Sequence, residues 1–251
     1  MKIVGIYTKD FSLAHDIMNK MNERGIDYIH LHSIDRIPHK VGVIITSSAE
    51  GKDIGGRKVV YADCFRDIDS ALDRAMQILH GNSDEIVIGI DPGEYPGIAL
   101  LSGETVLRTW CASSTDEALG IVRKILSDFS DKERIVRIGH DARIYRDRII
   151  DGLRDVDIKI EIVDETKTSQ RTGYSRMERN EIAAIRIAKS RGRSVRGNGD
   201  RRFTDGEIKE VQRKSRILSG GRITISRELA LKVLKGEIEM EEAIKFSKSS
   251  N

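Results

Sequence analysis

The sequence predicts an α/β protein: a mixed sheet with helices in the middle of the chain, preceded by a small α/β domain and followed by a basic helical tail. Three observations predict it. Residues 85–111 hold three apolar runs in close succession, EIVIGID, GIALL and ETVLRTW, separated only by turn residues, which is the signature of an antiparallel meander. Helical and strand-like periodicities then alternate up to Arg191, the pattern of parallel strands joined through helices. Beyond that point the apolar content drops and Gly and Arg take over.

The first domain is expected over residues 1–81. KIVGIY is a short strand, and FSLAHDIMNKMNERG places Leu13, Ile17, Met18 and Met21 at helical spacing before Gly25 ends the run. DYIHLHSI, VGVIITSS and KVVYADC are further strands, and DIDSALDRAMQILHGN is an amphipathic helix stopped by Gly81. A β-α-β beginning followed by more strands and a helix predicts a mostly parallel sheet. His30, His32 and His39 fall on strand and loop positions and read as half-buried or surface residues rather than metal ligands. The Gly-rich loop SSAEGKDIGGRK does not run from a strand into a helix, as a phosphate-binding loop must, and reads as a turn.

The second domain is expected over residues 82–191. After the meander, STDEALGIVRKILSDF is a helix capped by Ser114 or Thr115 with Leu119, Val122, Ile125 and Leu126 on its apolar face. RIVRIGH is a fourth strand, RIYRDRIIDGL a short helix, IKIEIVDE a fifth strand and SRMERNEIAAIRIAKSRG a last helix. Three strands in a meander, then helix, strand, helix, strand, helix: this order resembles the ribonuclease H-like fold. In that fold the first and fourth strands lie side by side and parallel, so their C-terminal ends meet at one edge. Asp91 ends the first, Asp141 follows the fourth, Glu165 follows the fifth, and Glu178 and Glu181 share one face of the last helix. Carboxylates gathered in one place repel unless a cation sits among them, and hard oxygen ligands select Mg²⁺ or Mn²⁺.

GIDPG followed by GIALL resembles the opening motif of the RuvC and YqgF branch of ribonuclease H-like nucleases, the Holliday junction resolvase-like proteins, and the resemblance makes Asp91 a metal ligand. VDETKTS is similar to the motif after the fifth strand in YqgF-like proteins and points to Glu165; ERNEIAAIRIA is similar to the final helix of RuvC-like resolvases and points to Glu178 and Glu181. Asp141 corresponds loosely to the fourth-strand acid. Asp91, Glu165 and Glu181 are the catalytic candidates; His140 is a candidate proton-transfer group and Lys167 a candidate phosphate contact. The final-helix acids are usually aspartates, and in the YqgF register the matching position is Asn180, which supplies no carboxylate.

The tail, residues 192–251, opens with RGRSVRGNGDRR, an extended arm by composition, then gives a helix with Thr204 and Glu207 as a capping box and two shorter helices broken near Gly236. Between Arg186 and Arg222 twelve Lys or Arg face four Asp or Glu, a charge that suits a sugar-phosphate backbone.

Composition excludes other classes. At 251 residues, 39% hydrophobic and 33% charged, the chain is expected to be soluble and globular, and no apolar run approaches the ~20 residues of a membrane span. MKIVGIYTKDF lacks the pattern of a signal peptide, so the expected location is cytoplasmic. Cys64 and Cys111 lack paired spacing and read as buried thiols. The resulting expectation is a Mg²⁺- or Mn²⁺-dependent endonuclease acting on structured nucleic acid, with DNA favoured and RNA the alternative; the resemblance to junction-resolving enzymes implies a homodimer. Two rival readings are an inactive nucleic-acid-binding module of the same fold and an ATP-binding protein of the actin and hexokinase type.

Overall fold

The computed structural model describes residues 2–56, 58–164, 175–194, 205–234 and 238–249. The chain divides into two compact units, Met1–Val195 and Arg196–Asn251. Among its described residues the first holds two sheets, and residues 81 and 82, where a domain boundary is expected, lie between their strands but inside this one unit.

The first sheet is built from β1 (Ile3–Ile6), β2 (Tyr28–His30), β3 (Val41–Thr46) and β4 (Val59–Tyr61), with helices α1 (Phe11–Glu23) and α2 (Ile68–Leu79). Its order is β2-β1-β3-β4 and every pairing is parallel, as the β-α-β opening predicts. Asp10 caps α1 by accepting from the Ser12 and Leu13 amides, and Asp67 caps α2 by accepting from the Ser70 amide. Both helices pack on one face, where Ile17, Met21, Leu72 and Ala75 meet Val4, Ile6, Val43 and Ile45. The opposite face, Val41 and Ile44, is covered by the connections on either side of β3 through Leu31, Ile34, Ile37 and Ile54. The strand order reverses between β1 and β3, where such sheets open a crevice at their C-terminal ends. Here Glu50 enters it: its carboxylate accepts from Thr8 Oγ1 at 2.5 Å, the Lys9 amide at 2.6 Å and Ser47 Oγ at 2.9 Å. The Thr8 hydrogen bond, helped by the others, holds this carboxyl below its ordinary range.

The second sheet contains β5 (Glu85–Asp91), β6 (Gly97–Ser102), β7 (Thr105–Cys111), β8 (Glu133–Gly139), β9 (Lys159–Val163) and β10 (Arg193–Ser194) in the order β10-β9-β8-β5-β6-β7. β5, β6 and β7 form the antiparallel meander; β8 joins β5 in parallel and β9 joins β8 in parallel. These are the strand order and directions expected of a ribonuclease H-like mixed sheet. Helices α3 (Thr115–Asp128) and α4 (Arg143–Asp151) cover one face, burying Val122, Ile125, Leu126, Phe129 and Ile149 against Ile86, Ile88, Ile90, Ile98 and Leu100. Ser114, one of the two expected caps, accepts from the Glu117 amide at the start of α3.

Helix α5 (Arg176–Lys189) covers the other face, and small residues let it approach closely. A Cβ at Gly89 would overlap the Ala184 carbonyl and lie 2.6 Å from Ala188 Cβ. Val87, Ala99, Leu101, Ala184 and Ala188 fill the remaining space. The helix end is fixed by Arg137, which donates to the Ala188 carbonyl at 2.5 Å and to Glu161 Oε2 at 2.9 Å. Strand β10, which the sequence gives no sign of, then pairs antiparallel with β9.

The two sheets meet through charged side chains. Arg24 donates to Asp73 at 2.6 Å and to the Leu107 carbonyl at 3.4 Å, and Arg108 pairs with Asp69 at 3.4 Å and with Asp73 at 3.6 Å. Burial pushes the Asp73 carboxyl up to about 6 although both arginines favour its charged form. Arg74 with Asp131 and Lys124 with Asp67 complete the contact between α2 and the α3 region.

The second unit has α6 (Asp205–Leu218), α7 (Arg227–Leu234) and α8 (Met240–Ser249) around Ile208, Val211, Ile225, Ala230 and Ala243. Gly220 and Gly221, both at positive φ, reverse the chain after α6, where a side chain would be strained. The Thr204 half of the expected capping box and the break at Gly236 lie outside the described residues. Among the described residues no helix is long and apolar enough to cross a membrane.

Candidate active site

Alternation along β5 sends Ile86, Ile88 and Ile90 to the α3 side and Val87, Gly89 and Asp91 to the α5 side. Asp91, the last residue of β5, stands opposite Gly97 on β6, and Gly97 opposite Cys111 on β7. Residues directly opposite in a ladder share a face, so Asp91 and Cys111 project toward α5 with the bare Cα of Gly97 between them. Over that gap lies the helix backbone. A Cβ on Gly97 would overlap the Asn180 carbonyl and come 3.0 Å from the Glu181 amide nitrogen.

Glu181 is oriented from the sheet. Thr109, opposite Ala99 on the same face, donates its hydroxyl to Glu181 Oε2 at 2.6 Å. The Cys111 thiol registers both acids: burial pushes it up first, the Asn180 side chain opposes, and the Glu181 and Asp91 carboxylates push it further. Cys111 is half-buried at this rim and Cys64 is exposed on a short helical turn, which corrects the expectation of two buried thiols. Cys111 is the last residue of β7 and Cys64 the last of its turn.

Burial pushes the Asp91 carboxyl up to about 6, and the neighbouring Asp141 carboxylate adds to the effect. Asp141 is exposed in the bend after β8. That bend is pinned on both sides: the His140 amide donates to the Val163 carbonyl at 2.8 Å, and Arg146 donates to the His140 carbonyl at 2.5 Å. Ala142 follows in the left-handed region, φ 48 and ψ 51, and opens α4. The exposed His140 ring presents Nδ1 3.4 Å from Arg146 Nη1.

Glu178 has a different task. Ser175 and Glu178 form a capping box at the start of α5, the carboxylate accepting from the Ser175 amide at 2.8 Å. These bonds hold the exposed Glu178 carboxyl below its ordinary range. Asn180 donates Nδ2 to the Tyr95 carbonyl at 2.7 Å, tying the turn after Asp91 to the helix. Glu165 and Lys167 lie outside the described residues.

The sheet and α5 thus bring Asp91, Asp141, Cys111 and Glu181 to one edge. Among the described residues the Asp91 carboxylate makes no hydrogen bond or ion pair. A half-buried carboxylate beside a second one, with no cation to offset them, fits a divalent ion held by hard oxygens. Among the described residues no group of three His, Cys, Asp or Glu side chains is placed to hold a metal. The sequence does not single out Thr109 or Tyr95; it marks Cys111 only as a buried thiol and Asn180 only as a position without a carboxylate, not as a clamp. The alternation in TVLRTWC puts Thr109 and Cys111 on one face; only the pairing register shows that this face meets α5.

Residues 3–79 match the family model of a response regulator receiver-like domain, and residues 204–249 that of a three helical bundle domain; both lie outside the six-stranded sheet. Comparison with curated proteins returns no match. Among solved structures, the chain is similar to Marinitoga piezophila Argonaute in complex with 5' OH guide RNA, at 12% identity over 84% of this chain and 49% of that one, TM-score 0.25. A second structure of that Argonaute, with guide RNA and target DNA, gives 10% identity over 97% of this chain and 53% of that one, TM-score 0.26. The chain spans about half the length of either.

Proposed function

We propose that the protein is a metal-dependent nuclease that hydrolyses phosphodiester bonds at the C-terminal edge of the six-stranded sheet, in the manner of the RuvC and YqgF branch. One observation carries the reading: Asp91 ends the central strand half-buried and next to Asp141, opposite the Gly97 over which the Glu181 backbone lies, without a counter-charge among the described residues. Asp91 would hold Mg²⁺ or Mn²⁺ with ligands drawn from Asp141, Glu165 and Glu181; the three described acids do not by themselves form a group placed to hold an ion. Bound there, such an ion lowers the pKa of an attacking water and stabilises charge on the phosphate. The protein's own part is positional: Thr109 fixes the Glu181 carboxylate, the pinned bend fixes Asp141, and Asn180 fixes the turn after Asp91.

A second reading, an inactive nucleic-acid-binding module, is favoured by two assignments within α5. Glu178 is engaged as a cap and the Asn180 amide in holding the turn, so neither offers a free carboxylate. One experiment separates the two. Branched DNA, duplex DNA and structured RNA are incubated with wild type and Asp91→Asn in Mg²⁺ and in Mn²⁺, with melting temperature as the folding control. The nuclease reading expects wild-type cleavage that falls by at least about a hundredfold in the variant. Binding without wild-type cleavage on any substrate selects the binding module.

A further inference from the structure

The turn between β5 and β6 carries an aromatic ring that the core does not take in. Pro92 and Pro96 are buried, whereas Tyr95 between them is 40% exposed. Its backbone is nevertheless fixed. The Tyr95 carbonyl accepts from Asn180 Nδ2 at 2.7 Å and from the Cys111 thiol at 3.9 Å, and the next carbonyl, of Pro96, accepts from the Ala112 amide at 2.8 Å. The Arg176 guanidinium stacks over the ring, 4.9 Å from its centroid, and is itself paired with Glu94 at 3.2 Å. Met177, 59% exposed, is the next residue along the same first turn of α5. A flat ring, a planar cation and a thioether therefore stand on the rim of the edge that carries Asp91. On the β8 side of Asp91, the first turn of α4 carries another exposed ring, Tyr145.

Aromatic rings with guanidinium groups accept nucleobases by stacking, whatever the base, because every base has a π-face. A base inside a duplex is already stacked on its neighbours and cannot reach a rim residue without being splayed out. We propose that Tyr95 and Arg176 form a stacking platform for an unpaired nucleobase, so that this edge takes single-stranded or splayed nucleic acid in preference to continuous duplex. The proposal rests on the nucleic-acid reading of the same site and narrows its substrate class.

The test is equilibrium binding without divalent metal, so that cleavage does not intervene. A single-stranded oligonucleotide containing 2-aminopurine and the duplex of the same sequence are titrated with wild type, Tyr95→Ala, Tyr95→Phe and Arg176→Gln, with melting temperature for each. Wild type is expected to prefer the single strand and to change the 2-aminopurine fluorescence. Tyr95→Ala should lose about tenfold in single-strand affinity, the scale of one stacked base, with duplex affinity unchanged, and Tyr95→Phe should restore it. Arg176→Gln, in an exposed first turn, gives the same direction if Tyr95→Ala fails to fold. Equal losses on both nucleic acids, unchanged single-strand affinity in Tyr95→Ala, or a wild-type preference for duplex would each overturn the platform while leaving the nucleic-acid reading intact. Wild type that binds neither would overturn both.

Discussion

Gly97 and Asn180 approach so closely that a Cβ on Gly97 would overlap the Asn180 carbonyl oxygen. The obstacle is helix backbone, which cannot rotate away as a side-chain tip would. Gly97→Ala must therefore lift α5 from β6 and carry Glu181 with it. We expect a loss of about 1–3 kcal/mol in urea denaturation, as for other overpacked sites, together with loss of any metal-dependent cleavage. Gly120 in α3 is the control, since nothing lies within 4 Å of its would-be Cβ. Gly120→Ala should be neutral or stabilising by up to ~1 kcal/mol. Equal stability of the two variants would mean that α5 does not press on the sheet at Gly97.

The Asp91 carboxyl titrates at about 6 in the folded chain, against an ordinary value of 3.8. The folded state thus holds this proton more tightly than the unfolded state. Its contribution to stability is full below about pH 3.8 and is lost as pH rises through about 6. Asp91→Asn does not suffer that loss. Near pH 7.5 the variant should be more stable than wild type, by on the order of 1–3 kcal/mol, and the difference should shrink toward pH 4. Millimolar Mg²⁺ should raise the wild-type melting temperature and leave the variant unmoved. Parallel stability curves for the two proteins across this range would remove Asp91 from a desolvated site.

Thr109 acts through Glu181. Thr109→Val keeps the shape on β7 but removes the hydroxyl that donates to Glu181 Oε2. Cleavage should fall about tenfold, and the Mn²⁺ concentration for half-maximal activity should rise by a similar factor. Thr109→Ser, which keeps the donor, should recover most of both. A purely structural role would lower the melting temperature and leave the metal requirement where it was.

Removal of everything after Val195 tests the basic tail. The cut falls there because β10 pairs with β9 and the Gly192 amide bonds to Glu161, so that a cut at Gly192 would injure the second sheet as well. The shortened chain should bind nucleic acid more weakly and with a flatter dependence on salt, because fewer Lys and Arg release counterions. An unchanged slope of log affinity against log salt places the binding surface elsewhere.

Most of the architecture was legible because it follows from local periodicity. EIVIGID, GIALL and ETVLRTW became β5, β6 and β7, and each long amphipathic run became a helix. Strand β10 was not legible: two residues, Arg193 and Ser194, carry no period, and their pairing depends on the Arg137 and Glu161 contacts around the end of α5. The site was legible in part for the same reason. Asp91 is marked by its place at the end of an apolar strand, whereas Glu178 and Glu181, alike in the sequence, receive opposite tasks. Only the helix start at Ser175 and the hydroxyl of Thr109 separate a cap from a candidate site residue. Cys111 is left half-buried by its place at a strand end, which a two-residue alternation does not report.

Among the described residues strand β7 is the last in its sheet, and a free strand edge is a template on which another chain can grow a ladder. The ladder with β6 shifts register between Leu100 and Leu101, and on β7 the carbonyl of Leu107 is taken by Arg24 at the end of α1. The ion pairs among Arg24, Arg108, Asp69 and Asp73 hold α2 beside this same strand. Whatever else the first sheet and its helices do, they stand guard over an aggregation-prone border: a chain that lost them would uncover β7 and become a seed for edge-to-edge assembly.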